Sequence, residues 1–134
     1  MAGSFTDALE SAALTFFFTT ATAPTRPTSW FLALCSTAPT DSAAGTEITG
    51  GGYARQEIGS MTVSGTNPTQ AANAGALSFG AATGADWPEA GYFEIWTLVS
   101  GGTRIAWGQL DVAKTVQVGD TLSIAAGDAK VTIN

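Results

Sequence analysis

The chain has 134 residues, of which eleven are Asp or Glu and five are Lys or Arg, with no histidine and a single cysteine. That length buries one domain-sized core without disulfides or metals, and the formal charge of −6 argues against a phosphate-tracking surface, since Arg26, Arg55, Arg104, Lys114 and Lys130 lie far apart in sequence. Without histidine the common nucleophile–base triads and most zinc sites are excluded, so the composition predicts a protein that is not an enzyme and needs no cofactor, no metal and no nucleic acid.

In chain order, Asp7 and Glu10 lie where the basic residues of an export signal belong, so no secretory leader is expected. The longest apolar run falls far short of the ~20 residues of a membrane span, so no membrane partner is expected either. Leu9, Ala12, Ala13, Phe16 and Phe17 recur at helical spacing and predict a helix over Ser4–Phe18, with Ser4 or Thr6 as its cap. Three consecutive phenylalanines cannot share one face, so this helix presents apolar side chains on more than one side. Thr19 to Ser29 contains Pro24 and Pro27 and no apolar period, which makes it an extended connector. It divides an N-terminal unit, residues 1–28, from a body at 29–134.

The body reads as strands over Trp30–Ser36, Tyr53–Ile58, Met61–Ser64, Ala76–Phe79, Tyr92–Val99, Thr103–Leu110, Thr121–Ala125 and Lys130–Ile133. Gly-containing turns at Ser100–Gly102, Val118–Asp120 and Ala126–Asp128 imply antiparallel neighbours. No helical run separates the strands, which removes the βαβ architectures with their cofactor crevices. The expected fold is mainly β: an antiparallel β-sandwich, of which a jelly roll is one form, preceded by a short N-terminal helix.

Few residues suggest chemistry. Cys35 lies in the apolar run Trp30–Cys35 and has no histidine to activate it, so it reads as a small packed hydrophobe. Gly50, Gly51 and Gly52 precede a β-like segment and lack the helix or lysine of a phosphate cradle; they read as a structural turn in which at least one glycine takes positive φ. The acid pairs Asp7 with Glu10 and Asp86 with Glu89 fit a helical first turn and a proline turn. Trp30, Trp87, Trp96 and Trp107, with Tyr53 and Tyr92, are either core or a sugar-binding platform. Trp96 and Trp107 fall on the two arms of one hairpin, which places them in one sheet.

The runs Leu32-Ala33-Leu34-Cys35-Ser36-Thr37-Ala38-Pro39 and Gly45-Thr46-Glu47-Ile48-Thr49-Gly50-Gly51-Gly52-Tyr53-Ala54-Arg55-Gln56 resemble a family of small virion proteins of tailed bacteriophages, labelled tail fibre or decoration proteins. Phe93-Glu94-Ile95-Trp96, Trp107-Gly108-Gln109-Leu110 and Gly119-Asp120-Thr121-Leu122-Ser123-Ile124-Ala125-Ala126-Gly127 continue the resemblance in order, so that it spans roughly Leu9 to Ile133. Two departures, the Asp86–Gly91 segment with its proline and the aromatic helix, fall at expected contact surfaces. The resemblance implies a non-enzymatic β-sandwich subunit of a phage particle, made in the host cytoplasm and located in the virion. The first expectation is a capsid decoration or cement protein bound to the major capsid protein or other virion subunits, a homo-oligomer with three-fold symmetry the natural choice on an icosahedral lattice. The alternative is a tail or fibre component, including a glycan-binding adhesin; a glycan hydrolase lacks the residues for its chemistry. Phe5, Leu9, Leu14, Phe16, Phe17 and Phe18 form the expected docking interface.

Overall fold

The computed structural model describes residues 4–133. The chain forms β1 (Ser4–Phe5), α1 (Asp7–Phe18), β2 (Phe31–Cys35), β3 (Gln56–Glu57), β4 (Met61–Ser64), β5 (Thr69–Asn73), β6 (Leu77–Phe79), β7 (Trp87–Trp96), β8 (Arg104–Val116), β9 (Leu122–Ile124) and β10 (Lys130–Ile133). It is mainly β, with antiparallel sheets and one short N-terminal helix. A five-stranded sheet runs in the order β1-β8-β7-β2-β3, a three-stranded sheet in the order β10-β5-β4, and β6 pairs with β9. This five, three and two division differs from the pair of sheets that makes a jelly roll.

The inward residues of β2, β7 and β8, among them Leu32, Leu34, Phe93, Ile95 and Ala106, join Leu77 and Phe79 of β6, Leu122 and Ile124 of β9 and Val131 of β10 in one buried apolar cluster. Alternation explains most of it: in β6 and β9 the first and third residues are buried and the central serine is exposed. Strand β2 is buried on both sides, as expected of a strand with covered faces.

Three sequence expectations need correction. The helix begins at Asp7, not Ser4, because Ser4 and Phe5 pair with Trp107 and Ala106 as an edge strand. Phe5 therefore packs half-buried against the core, apart from the helical docking residues. Thr6 sets the helix start. Its backbone is extended, its N–H donates to the Ile105 carbonyl at 3.1 Å, and its Oγ1 accepts from the Leu9 N–H at 3.4 Å.

Second, Asp86–Gly91 is no exposed proline turn. Trp87 opens the long strand β7 and is 2% exposed, its indole N–H donating to the Gly51 carbonyl at 2.9 Å. Pro88 falls where register shifts between Trp87 and Ala90, so its missing N–H costs no ladder bond. Third, Tyr53–Ile58 pairs only at Gln56–Glu57. Tyr53 lies outside the strand, its ring stacked on Phe79 at 6.1 Å and edge-on to Trp87 at 5.4 Å.

The glycine turn is built on contact. Gly51 bridges Thr83, and a Cβ on it would meet the Thr83 carbonyl oxygen; Gly52 has φ of +80° and no room beside the Ala81 carbonyl oxygen. Gly51→Ala and Gly52→Ala are each expected to cost about 2 kcal/mol or more in urea unfolding. Gly75→Ala, with nothing within 4 Å, is the control and should leave the midpoint unchanged. Equal midpoints for all three variants would show that the turn tolerates a side chain.

Candidate functional site

The outer face of the five-stranded sheet carries the polar chemistry. Residues 37–47, here the strap, cross this face: Ser36 N–H donates to the Thr46 carbonyl at 2.9 Å, and Cys35 bridges Glu47. Under the strap lies Glu94, opposite Ala33 on β2 and Trp107 on β8. Its side chain is fully buried. Glu94 Oε1 accepts from the Gly45 N–H at 2.8 Å and Oε2 from the Trp96 indole N–H at 3.0 Å. Arg104 Nη1 stands 3.5 Å from Oε1 without a hydrogen bond of its own, while Nη2 donates to the Asp41 carbonyl at 3.2 Å. A carboxylate taken out of water needs such a counter-charge and such donors.

A second pair lies beside the first. Arg55 grips Glu47 through two bonds of 2.9 and 2.7 Å, and its Nη1 donates to the carbonyls of Leu98 and Gly101 in the β7–β8 turn. Its guanidinium covers the Trp96 ring at 4.2 Å, a geometry that suits a delocalised planar cation. Burial opposes the Arg55 charge, but the hydrogen bonds and charge of Glu47 hold its pKa above the ordinary value. Tyr53 joins the pair, accepting from the Leu34 N–H at 2.9 Å and donating to Glu47 Oε1 at 3.1 Å. Burial pushes its pKa well up, helped by the Glu47 charge.

Where the strap meets the start of α1, a cleft of about 520 Å³ opens between Thr6–Ala8, Asp41, Ser42, Ala44, Trp96 and Gly102–Arg104. Asp41 is fixed on three sides: its carbonyl accepts from the Asp7 N–H at 3.3 Å and from Arg104, and its Oδ1 accepts from the Trp107 indole N–H at 2.8 Å. Among the described residues no group of three or more His, Cys, Asp or Glu is placed to hold a metal ion, and no helix is long and apolar enough to cross a membrane.

Cys35 is fully buried, and burial first, then the charges of Glu94 and Glu47, push its thiol far above the ordinary range. The thiolate is suppressed at any ordinary pH. Native protein at pH 8 should give no reaction with a thiol reagent such as Ellman's, and one full equivalent after denaturation. Rapid labelling of the native protein would show that the strap opens readily.

The sequence-derived residues do not converge on one site. The helix lies out on the body with no fully buried residue; Leu9, Ala12 and Ala13 are half-buried, whereas Leu14, Phe16, Phe17 and Phe18 are 57 to 79% exposed. Gly50, Gly51 and Gly52 lie instead beside Trp87 and Thr83. Of the aromatic set, Trp87 belongs to the core and Trp30 and Tyr53 pack against it. Trp96 and Trp107 share the outer face on adjacent strands, bonded to Glu94 and Asp41. Sequence reasoning missed Glu94 with Arg104, and Asp41.

Compared with known protein families, residues 4–132 match the model described as Podophage GP4 fiber I protein gp80. The chain belongs to this family. It is therefore one of the structural proteins of tailed-phage virions. No curated protein matches the chain in sequence. The match takes in β1, the helix, the strap and the paired Glu47–Arg55 and Glu94–Arg104 groups, so the region that belongs to the fibre family includes every element of the cleft.

Proposed function

We propose that the protein is a fibre component of the virion, a structural subunit that works by binding and not by catalysis. The observation that carries this reading is the match to a fibre family over residues 4–132. It favours the tail or fibre alternative over the capsid decoration role that the sequence suggests first. The lack of histidine and the burial of the single cysteine, Cys35, away from solvent support the non-enzymatic part.

The helix supports a docking role against a neighbouring protein subunit of the particle. Its Leu9–Ala13 side rests on the body, and Leu14, Phe17 and Phe18 point elsewhere without cover. From Ser11 to Thr25 the chain carries no charge, so the partner surface is expected to be apolar rather than basic. Full burial of three such side chains contributes about 6 kcal/mol, enough to hold a subunit already aligned by other contacts. A second copy of the chain in a symmetric ring is one such neighbour.

Gold-labelled antibody on purified particles, with copy number from quantitative gels, tests the location. Label on the tail-proximal fibres and on the order of ten copies per particle are expected, as rotational symmetry about the tail requires. Label over the whole head, at hundreds of copies, would restore the decoration reading.

A further inference from the structure

From Ile58 to Ala85 the chain carries no charged residue, and the whole of β4 and β5 lies inside that stretch. Strand β4 ends its sheet, paired with β5 on one side only. Such an edge exposes a row of unpaired main-chain groups, which soluble proteins guard with charges, prolines, bulges or very short strands. The other sheet ends follow that rule: β1 and β3 have two residues each, β3 with Glu57, and β10 opens on Lys130. Met61-Thr62-Val63-Ser64 has none of these devices.

The register shows which of its groups are free. The Ser60 carbonyl accepts from the Ala74 N–H at 3.1 Å, and the pairs continue from Met61 with Asn73 to Ser64 with Gln70. The alternation of an antiparallel ladder therefore turns the N–H and C=O of Thr62 and Ser64 toward β5 and those of Met61 and Val63 outward. Asn73 agrees with this phase, since its own N–H donates to the Ala129 carbonyl at 3.3 Å, on the far side of β5. Among the described residues nothing meets the outward groups of Met61 and Val63.

We propose that β4 pairs antiparallel with β4 of a second copy of the chain, across a two-fold axis at Thr62, so that two three-stranded sheets become one continuous sheet. The spacing of the free groups selects this partner. With Thr62 opposite the partner's Thr62, Met61 falls opposite the partner's Val63 and Val63 opposite the partner's Met61, which uses every outward group on both strands. The side chains match as well. Met61 and Val63 share one face of the sheet with Ala71 and Val131, and Val63, 69% exposed, gains an apolar neighbour in the partner's Met61. No charge on β4 repels its own copy, whereas a partner recognised by charge would find nothing there to recognise. Gly59 and Gly65, with φ of +72° and +80°, end the strand on both sides and confine the seam to it. A seam of this length is smaller than a stable dimer interface, so the pair is weak in solution and is reinforced by other contacts in a particle. The pairing goes beyond the fibre reading and holds wherever in the particle the protein sits.

The test is sedimentation of the full chain from about 10 µM to about 1 mM, over which the mean mass is expected to rise from 13.6 kDa toward twice that value. Val63→Lys, which sets two cations at the seam, should melt as wild type does and stay monomeric throughout. Thr62→Cys puts two thiols at a non-hydrogen-bonded pair with Cα atoms about 4.5 Å apart, within disulfide reach. Ser64→Cys, equally exposed, leaves them about 13 Å apart along the strand. Under mild oxidation Thr62→Cys should dimerise at least about tenfold faster than Ser64→Cys, without competition from the fully buried Cys35. A monomer at about 1 mM overturns the proposal, as does a dimer indifferent to Val63→Lys or equal rates for the two cysteine variants. A Thr62→Cys cross-link that joins a different virion protein in purified particles, in place of a second copy, overturns it as well.

Discussion

Glu94→Ala is expected to lower the unfolding free energy by about 3 to 5 kcal/mol and the melting temperature by about 10 °C or more. The carboxylate is fully buried and holds three things at once: the strap through Gly45, the Trp96 indole, and the Arg104 guanidinium. Its removal strands a buried cation whose Nη1 already lacks a hydrogen bond. It also frees the Gly45 N–H and leaves a void beneath the strap. Arg104→Ala should fall in the same range for the reciprocal reason. The double variant Glu94→Leu/Arg104→Met leaves neither charge behind, so it should recover a large part of the loss, and the cycle that it closes with wild type and the single variants Glu94→Leu and Arg104→Met should show a coupling of at least about 1 kcal/mol. Urea unfolding of the four proteins measures this. A loss below about 1 kcal/mol for Glu94→Ala would mean that water reaches the pair and that the strap is held by its own backbone bonds.

The triple substitution Leu14→Ser/Phe17→Ser/Phe18→Ser is expected to leave the melting of the free protein within about 0.5 kcal/mol of wild type and to reduce incorporation into particles at least tenfold. These side chains are 60, 74 and 79% exposed in the isolated chain, so the body loses little packing with them. A docked surface would lose about 6 kcal/mol of apolar burial, several tenfold steps in affinity. Substitution is the sharper experiment than removal of the N-terminus, because deletion takes β1 and the buried Thr6 with it. Complementation of a phage that lacks the gene, followed by protein counts in purified particles, gives the readout. Wild-type incorporation of the triple variant would show that the helix does not dock the subunit, whereas a folded variant absent from particles supports it.

The parts of the fold legible in the sequence are those whose reasons are local. Met61–Ser64 and Lys130–Ile133 are strands over the ranges their alternation and flanking glycines imply. Thr69–Asn73 was invisible because T-Q-A-A-N has little β character. The strand exists because β4 and β10 pair on its two sides, and because the Asn73 side chain bonds Gly75, Ala125 and Ala129. Ser4–Phe5 reads as helix for the same reason: its partners Trp107 and Ala106 are remote in sequence. The outer-face site was half legible. Glu94 alternates with Phe93 and Ile95 and so faces away from the core, but its burial depends on the strap, which reads as an ordinary loop. Charge burial by a distant segment leaves no periodic signal in the segment it buries.

The pairing of β1 with β8 also sets a timetable during synthesis. Ser4 and Phe5 wait for Ala106 and Trp107, about a hundred residues later, which at ribosomal speed is roughly 5 to 20 s. Throughout that interval Leu9, Ala12 and Ala13 of the helix, whose Thr6 cap and first-turn acids are local, lack the body on which they rest in the finished fold. A nascent chain in this state is a client for chaperones and a hazard beside its neighbours on a polysome. Yields of soluble protein should therefore depend on how fast the ribosome reaches β8, through codon choice or temperature, even where the finished protein's stability is unchanged.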